Sequence, residues 1–312
     1  MASKLYVGNG TATPSIVIEK QVPMPRSITY GVDADGEIQY PTFTDGIINF
    51  DGVKTILYKN YFFAYLFYNN RNVLGVSFSD LTSIVGNMCC YYMFHGCSNL
   101  VSINFPKLKA IGRTGYDYSY SCYYMFKNCT NLTSADLSSI AGIYGSSAFG
   151  YIFEGCSKLT SVDLSGLTQL EGTSIFSNAF SGCSKLTSID LSNLAILNGN
   201  SYRTAEAFSY TFSSCTSLTE MRFPKLNKIP HNTVFNYCFR NCSALKNVYF
   251  NSLDSKSFGS CTNQFNNMLS GCSNVTVHFP SNLQSVMGSW SDVQSGFGGT
   301  TCVALFDLPA TE

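Results

Sequence analysis

The chain has 312 residues, with 19 Lys+Arg against 19 Asp+Glu, so its formal charge is zero and only 12% of its residues are charged. That balance denies it the basic face that nucleic acid requires, and no apolar run reaches the 18 residues of a membrane-spanning helix. The length suits two ordinary domains, or one elongated stack of repeats that needs no single large core.

Residues 1–45 open with "SKLYVGNGTATPSIVIEK", two short β-like runs separated by Gly, Thr and Pro, and continue through Pro23, Pro25 and Pro41. This composition predicts a small β cap or attachment segment. The opening lacks the uninterrupted apolar stretch and cleavage site of a secretory leader, so the expectation is a route other than general export, or a lost leader.

From residue 46 to 280 the chain repeats itself. Aligned on Phe-x-x-Cys, the aromatic positions are Phe67, Phe94, Phe126, Phe153, Phe180, Phe212 and Phe239, with Leu269 in the last copy. The steps are 27, 32, 27, 27, 32, 27 and 30 residues. The cysteines are Cys97, Cys129, Cys156, Cys183, Cys215, Cys242 and Cys272, and Asn70 stands in the first copy. A period of this size belongs to a solenoid, in which each unit buries its apolar side by stacking on its neighbours. "LTSVDLS" predicts a short strand with Val162 and Leu164 inward and Ser161, Asp163 and Ser165 outward, the alternation of a half-buried strand. One Cys per rung, without preferred pairs, predicts a column of unpaired structural thiols. No C-x-x-C occurs, and His95, His231 and His278 are far apart in sequence, so neither a metal site nor a cofactor is expected. Residues 281–312, with an amphipathic piece around Val286 to Trp290, a Gly-rich turn and "CVALF", are read as a C-terminal cap in which Trp290 is buried.

The segment "AFSGCSKLTSIDLSNLAIL" resembles the BspA-like branch of the leucine-rich repeat proteins, and the likeness runs over residues 53–280. It is most specific from the Phe through the strand, as in "MFHGCSNLVSINFPKLKAIG". The resemblance implies a leucine-rich-repeat solenoid: a right-handed curved β/α superhelix of about eight repeats, made of short parallel strands, loops and short helical turns, with a cap at each end. It also implies adhesion or surface recognition. The stretches "SKLYVGNGTATP" and "HFPSNLQSVMGSWSDVQSGFGGT" further resemble parts of tail-associated proteins of phages and prophages from gut bacteria. A virion protein reaches the outside without a signal peptide, so the expected location is a virion, a cell surface or the extracellular space.

Two places could carry recognition. The outward positions of successive strands run Ser77, Asn104, Asp136, Asp163, Asp190, Arg222, Tyr249 and His278, with Ser161 and Ser188 among the flanking serines. On neighbouring rungs the aspartates lie about 5 Å apart, and a polar ligand, Ca²⁺ at Asp163 and Asp190, or Lys158 and Lys185 could offset their repulsion. A solvated polar face explains the same residues. The second place is the extra length of the 32-residue steps, where Tyr116, Tyr118, Tyr120 and Tyr202 fall outside the tyrosine column two residues before each Phe. No nucleophile elbow, zinc-protease helix or phosphate loop appears, and the aspartates lie in a serine ladder rather than an apolar pocket, so an enzyme is not expected. The expected partner is a bacterial or host cell-surface glycan or protein, with a homo-oligomer open and a ligand-free structural spacer as the alternative.

Overall fold

The computed structural model describes residues 63–112, 119–198, 206–229, 232–258 and 262–311, together with seven short strands between Ser3 and Ile56. Each repeat contributes one turn of a parallel β-solenoid of roughly eight turns. The strand read from the sequence forms a first ladder, running in order through Ile47–Asn49, Gly75–Ser77, Ser102–Asn104, Ser134–Asp136, Ser161–Asp163 and Ser188–Asp190. Asp136, Asp163 and Asp190 are direct partners in its register. A second parallel ladder, from Thr55–Ile56 to Ile196–Asn198, follows one short turn later in each unit. After the second 32-residue step a four-stranded sheet takes over, with Glu220–Phe223, Asn247–Phe250, Thr276–Pro280 and Val303–Leu308 all parallel.

The third side of each turn departs from the expectation of short helices. Among the described residues, every helical segment lies beyond Pro280, in four pieces from Ser281–Leu283 to Gly296–Gly298. Between the ladders the backbone instead runs through successive tight turns, because residues with positive φ recur at four-residue spacing. In one unit these are Ser147 (53°), Tyr151 (55°) and Gly155 (73°). A left-handed residue at this spacing prevents a continuous helix and divides the hydrogen bonds into two sets. The N–H groups of Phe149, Tyr151, Phe153 and Gly155 donate to the next rung, to Ile175, Ser177, Ala179 and Ser181, while those of Gly150, Ile152, Glu154 and Cys156 donate three residues back. Buried main-chain groups are thus satisfied without helix or strand.

Glycine is required at one such position. Gly155 has φ +73°, and a Cβ there would lie 2.3 Å from Oδ1 of Asn128, whose side chain fills that space from the rung before. Gly155→Ala is expected to destabilise by about 2 kcal/mol in urea titrations, from backbone strain and displacement of Asn128. Adding Asn128→Gly should recover the displacement part only, and an unchanged deficit in that double variant would refute the steric account.

The core is a set of columns. Phe67, Phe94, Phe126, Phe153, Phe180, Phe212 and Phe239 stack ring on ring at 5.2 to 5.7 Å between centroids. A parallel column of Phe149, Phe176, Phe208, Phe235 and Phe265 meets it and the sheet edge-on. The repeated cysteines have a defined role. Each thiol donates to the carbonyl oxygen of the Phe one rung earlier, at 3.2 Å for Cys129 to Phe94, Cys156 to Phe126, Cys183 to Phe153 and Cys215 to Phe180. The site needs a small apolar atom that can also donate, which describes a thiol. The twelve described cysteines are unpaired and buried.

At the C-terminal end the stacking bonds find substitutes. In every earlier rung the N–H four residues before the Phe donates to a carbonyl of the next turn, as Phe235 does to Gln264. Phe265 has no further repeat above it and donates instead to Oδ2 of Asp292, which is itself buried, 3.1 Å away. Burial raises the pKa of Asp292, an effect that this hydrogen bond opposes. Phe297 and Phe306 cover Phe265 and Phe279, and Trp290 packs edge-on against Phe258 with 9% of its surface exposed.

Candidate functional site

The alternation in each strand dictates the outward face of the first ladder. Val162 is buried between half-buried Ser161 and exposed Asp163, and Ala135 is buried between exposed Ser134 and exposed Asp136. Ser161 and Ser188 are register partners, as are the aspartates beside them. Each carboxylate has one oxygen committed to the turn that ends its own strand. Oδ1 of Asp136 accepts from the N–H and hydroxyl of Ser138, at 3.1 and 2.7 Å, and Oδ1 of Asp163 and of Asp190 accept from the N–H of Ser165 and Ser192, each at 2.8 Å. The D-x-S spacing therefore has a local structural purpose, and all three aspartates are exposed. Lys158 Nζ donates to Asn131 Oδ1 at 2.8 Å. Among the described residues no group of three or more His, Cys, Asp and Glu is placed to hold a metal, and Asp163 and Asp190 offer two carboxylates and surrounding serines.

Arg222, Tyr249 and His278 continue the row in sequence but stand on the separate C-terminal sheet. Their register is direct, Arg222 opposite Tyr249 and Tyr249 opposite His278. The Arg222 guanidinium lies over the Tyr249 ring at 3.9 Å, and Tyr249 stacks on His278 at 4.3 Å with 11° between planes. Glu220 pairs with Arg222 from the same strand. Both Asp307 oxygens lie 2.9 Å from His278 Nδ1, and Asn247 Oδ1 lies 3.2 Å from Nε2. Planar cation, phenol and imidazole thus form one ordered stack whose faces are used internally and whose edges meet solvent.

Between Asp190 and Arg222 the sheet is split. Among the described residues no ladder pairing joins Ser188–Asp190 to Glu220–Phe223. The two other sides of the same turns stay bonded: Leu197 N–H donates to Lys228 at 3.1 Å, and Phe180 N–H to Thr211 at 2.9 Å. The other 32-residue step also weakens the ladder, leaving one register pair, Asn104 with Asp136. Extra length between the second ladder and the Phe therefore loosens the sheet side of the turn. Over the split lies an open groove of about 750 Å³ that brings together Asp136, Asp163, Asp190, Ser161, Ser188, Glu220 and Arg222. Tyr249 and His278 lie beyond it along the sheet. Glu220, Asn247, Asp307 and the split itself were not anticipated. The one sequence signal for them is the Glu-x-Arg alternation after a 32-residue step.

The chain matches the BspA type leucine rich repeat region in six copies, over residues 60–202 and 122–264. This chain belongs to the BspA-type leucine-rich repeat family. Members with this fold are typically non-enzymatic, in keeping with the exposed, serine-flanked aspartates. No curated protein matches the chain significantly. Among solved structures it is similar to a leucine-rich repeat protein from Bacteroides ovatus, at 17% identity over 92% of this chain and 98% of that one, with a TM-score of 0.29. It is also similar to the T. pallidum leucine-rich repeat protein, at 20% identity over 61% and 87% with a TM-score of 0.34, and to the pneumococcal vaccine antigen PcpA, at 14% over 90% and 83% with a TM-score of 0.28.

Of the tyrosines expected in the longer steps, Tyr116, Tyr118 and Tyr202 lie outside the described residues. Tyr120 is half-buried, with its ring edge-on to Tyr123 at 5.2 Å. The regular tyrosines do form a column, and it lies on the surface. Tyr65, Tyr92, Tyr124 and Tyr151 follow one another at 5.2, 4.5 and 4.7 Å, with Tyr65 still 40% exposed. Lys127 sits over Tyr124 at 4.9 Å and pairs with Glu154 at 2.6 Å. Partial burial, and then the Lys127 charge, lowers the pKa of neighbouring His95, which favours the neutral ring.

Proposed function

We propose that this chain is a non-enzymatic recognition protein that binds a cell-surface glycan or protein through the face of its first ladder, displayed outside the cell on a phage or prophage tail. The groove over the split is the observation that carries this reading. It sets an acidic, hydroxyl-rich side beside Arg222 and Glu220. The stack of Arg222 on Tyr249 and of Tyr249 on His278, which Asp307 holds, continues beyond it along the sheet and is formed before any ligand arrives. The volume of the groove lies in the range of ligand-binding clefts, and its few charged groups are held in place at little further entropic cost. Adhesion is what the family resemblance implies, and the terminal stretches resemble tail-associated proteins. A bacterial surface adhesin makes the same use of the face, and neighbouring tail and baseplate genes, or a sortase or secretion cluster, would separate the two contexts.

The test pairs whole-cell binding and a glycan and protein array with two variants, Asp163→Ala/Asp190→Ala and Arg222→Ala. Each is expected to reduce binding at least tenfold while the thermal midpoint moves little, since these side chains are exposed. Binding that is indifferent to all three substitutions would move the recognition surface elsewhere, and a chain that binds no cell, glycan or protein would be a spacer.

A further inference from the structure

We infer that the strand Val303–Leu308 is an interface between two copies of this chain, paired antiparallel about a two-fold axis with Leu305 of each copy facing Leu305 of the other. This strand is the outermost of the C-terminal sheet. The inner strands of that sheet seal their inward side chains: Phe223, Val248, Phe250, Val277 and Phe279 are fully buried. Ala304 and Phe306 hold the equivalent places and are only half-buried, and among the described residues the Phe306 ring stacks on Phe279 alone, at 5.7 Å. On the outward side Val303 and Leu305 are exposed. One strand therefore leaves apolar side chains open on both of its faces, where a further strand would bury them.

The strand carries little of what ordinarily protects an edge. It has six residues and is the longest of the described strands. It contains no Lys, Arg or Pro, and its single charge, on Asp307, is held by His278 at 2.9 Å. The shift of register between His278 and Pro280 falls towards its C-terminal end and leaves Val303 to Leu305 aligned. The residues that follow turn away from the free edge. Asn282 Nδ2 donates to Thr311 O at 3.0 Å, and Thr311 Oγ1 donates to Leu253 O at 2.9 Å, which ties the tail back over earlier turns.

A second copy is the occupant that this edge fits. Val303 N–H donates inward to Val275 O at 3.0 Å, so by alternation Ala304 and Phe306 turn their N–H and carbonyl groups to the free edge. Placed opposite each other in an antiparallel pair, Ala304 of one copy and Phe306 of the other exchange both bonds, and Leu305 falls on the axis. On the inward side each small Ala304 then meets the partner's large ring, so the half-buried rings fill space without colliding. On the outward side Leu305 meets Leu305 and Val303 meets Asp307, which keeps the two carboxylates at opposite ends of the pair. A charged partner strand would find no free counter-charge here. A head-to-tail fibre is served less well, because the outermost strand at the other end of the first ladder, Thr42–Thr44, has three residues and offers half the pairing length. The two-fold arrangement also keeps the outward rows of both C-terminal sheets on one side of the dimer, which suits a surface that repeats its ligand.

Sedimentation velocity across a concentration series of the full chain, with directed cross-linking, tests the pairing. An interface made by a strand edge is smaller than those of stable complexes, so a reversible dimer in the micromolar range is expected. Leu305→Lys brings two charges together at the axis while changing an exposed side chain, so it should weaken the dimer at least tenfold with little change in thermal midpoint. With oxidised glutathione, Leu305→Cys should form a covalent dimer, since directly opposite side chains bring their Cβ atoms to about 5 Å, whereas Val303→Cys, facing Asp307, should not. The twelve described native cysteines are buried and do not compete. A monomer up to several hundred micromolar, a dimer indifferent to Leu305→Lys, growth into open-ended species, or equal cross-linking of the two cysteine variants would each overturn the inference. All of these leave the sheet-face reading intact, because that reading is decided by binding to cells and arrays.

Discussion

Raising the pH from 9 to 12 is expected to unfold this protein cooperatively in a range where ordinary proteins of neutral charge lose stability more gradually. Burial pushes the thiols of Cys97, Cys156 and Cys215 from 9.0 up to about 12, and that of Cys272 up to about 11. These folded-state values lie above those of the unfolded chain. The stabilisation is therefore complete below pH 9, and it declines as the pH rises towards the folded values, because the unfolded chain releases protons that the stack retains. Within that window each such thiol withdraws up to about 1.4 kcal/mol per pH unit, so three of them withdraw up to about 4 kcal/mol per pH unit, against a typical total of about 5–15 kcal/mol for a domain. Partly buried tyrosines, Tyr92, Tyr124 and Tyr151, are raised in the same direction, first by burial. Urea midpoints measured by far-UV circular dichroism at half-unit steps of pH test this. Cys156→Ser should make the alkaline decline shallower even if it lowers stability at pH 7. A flat profile to pH 11 would show that the thiols do not meet the solvent-excluded environment described.

The second large effect concerns the phenylalanine column. Phe153 is fully buried, stacked at 5.7 Å on both Phe126 and Phe180 and met edge-on by Phe149 at 6.1 Å. Phe153→Ala is expected to cost about 3–5 kcal/mol, since the Cys thiols and turn bonds on either side hold the rung spacing and hinder collapse of the cavity. In a stack where each turn touches only its neighbours, the damage should spread along the axis rather than through the whole chain. Hydrogen exchange should show lost protection in the turns carrying Phe126, Phe153 and Phe180, with the turns around Phe239 and Phe265 little changed. Uniform loss of protection would indicate a single cooperative core instead of coupled rungs.

The architecture was legible because burial imposes it directly on the sequence. Val162 and Leu164 must alternate with Ser161 and Asp163, and Phe153 and Phe180 must recur at one place per turn. The identity of the outward row was legible for the same reason. Three things were not. Tyr65, Tyr92, Tyr124 and Tyr151 occupy left-handed backbone, a conformation that usually signals itself by Gly or Asn, so turns read as helical pieces are successive tight turns. Here Asn178 and Asn267 stand at the equivalent places, and they are the clue that column comparison could have used. The division between Asp190 and Arg222 arises from length inserted on another side of the turn, and a period-two pattern carries no information about how far apart two rungs sit. Asp292 was invisible because its role depends on which turn happens to be last.

That carboxylate has a consequence for self-association. A parallel stack ends in a row of main-chain donors that could, in principle, accept another molecule's rung as readily as its own. Asp292 supplies Phe265 with an oxygen from a side chain, and Phe297 and Phe306 roof the terminal rings, so at this side of the last turn the repeating donor and the ring column are both covered from within the chain. The sheet side differs: among the described strands Val303–Leu308 is the outermost of its sheet, with Val303 and Leu305 exposed, and any continuation of the stack between molecules would have to begin along that strand.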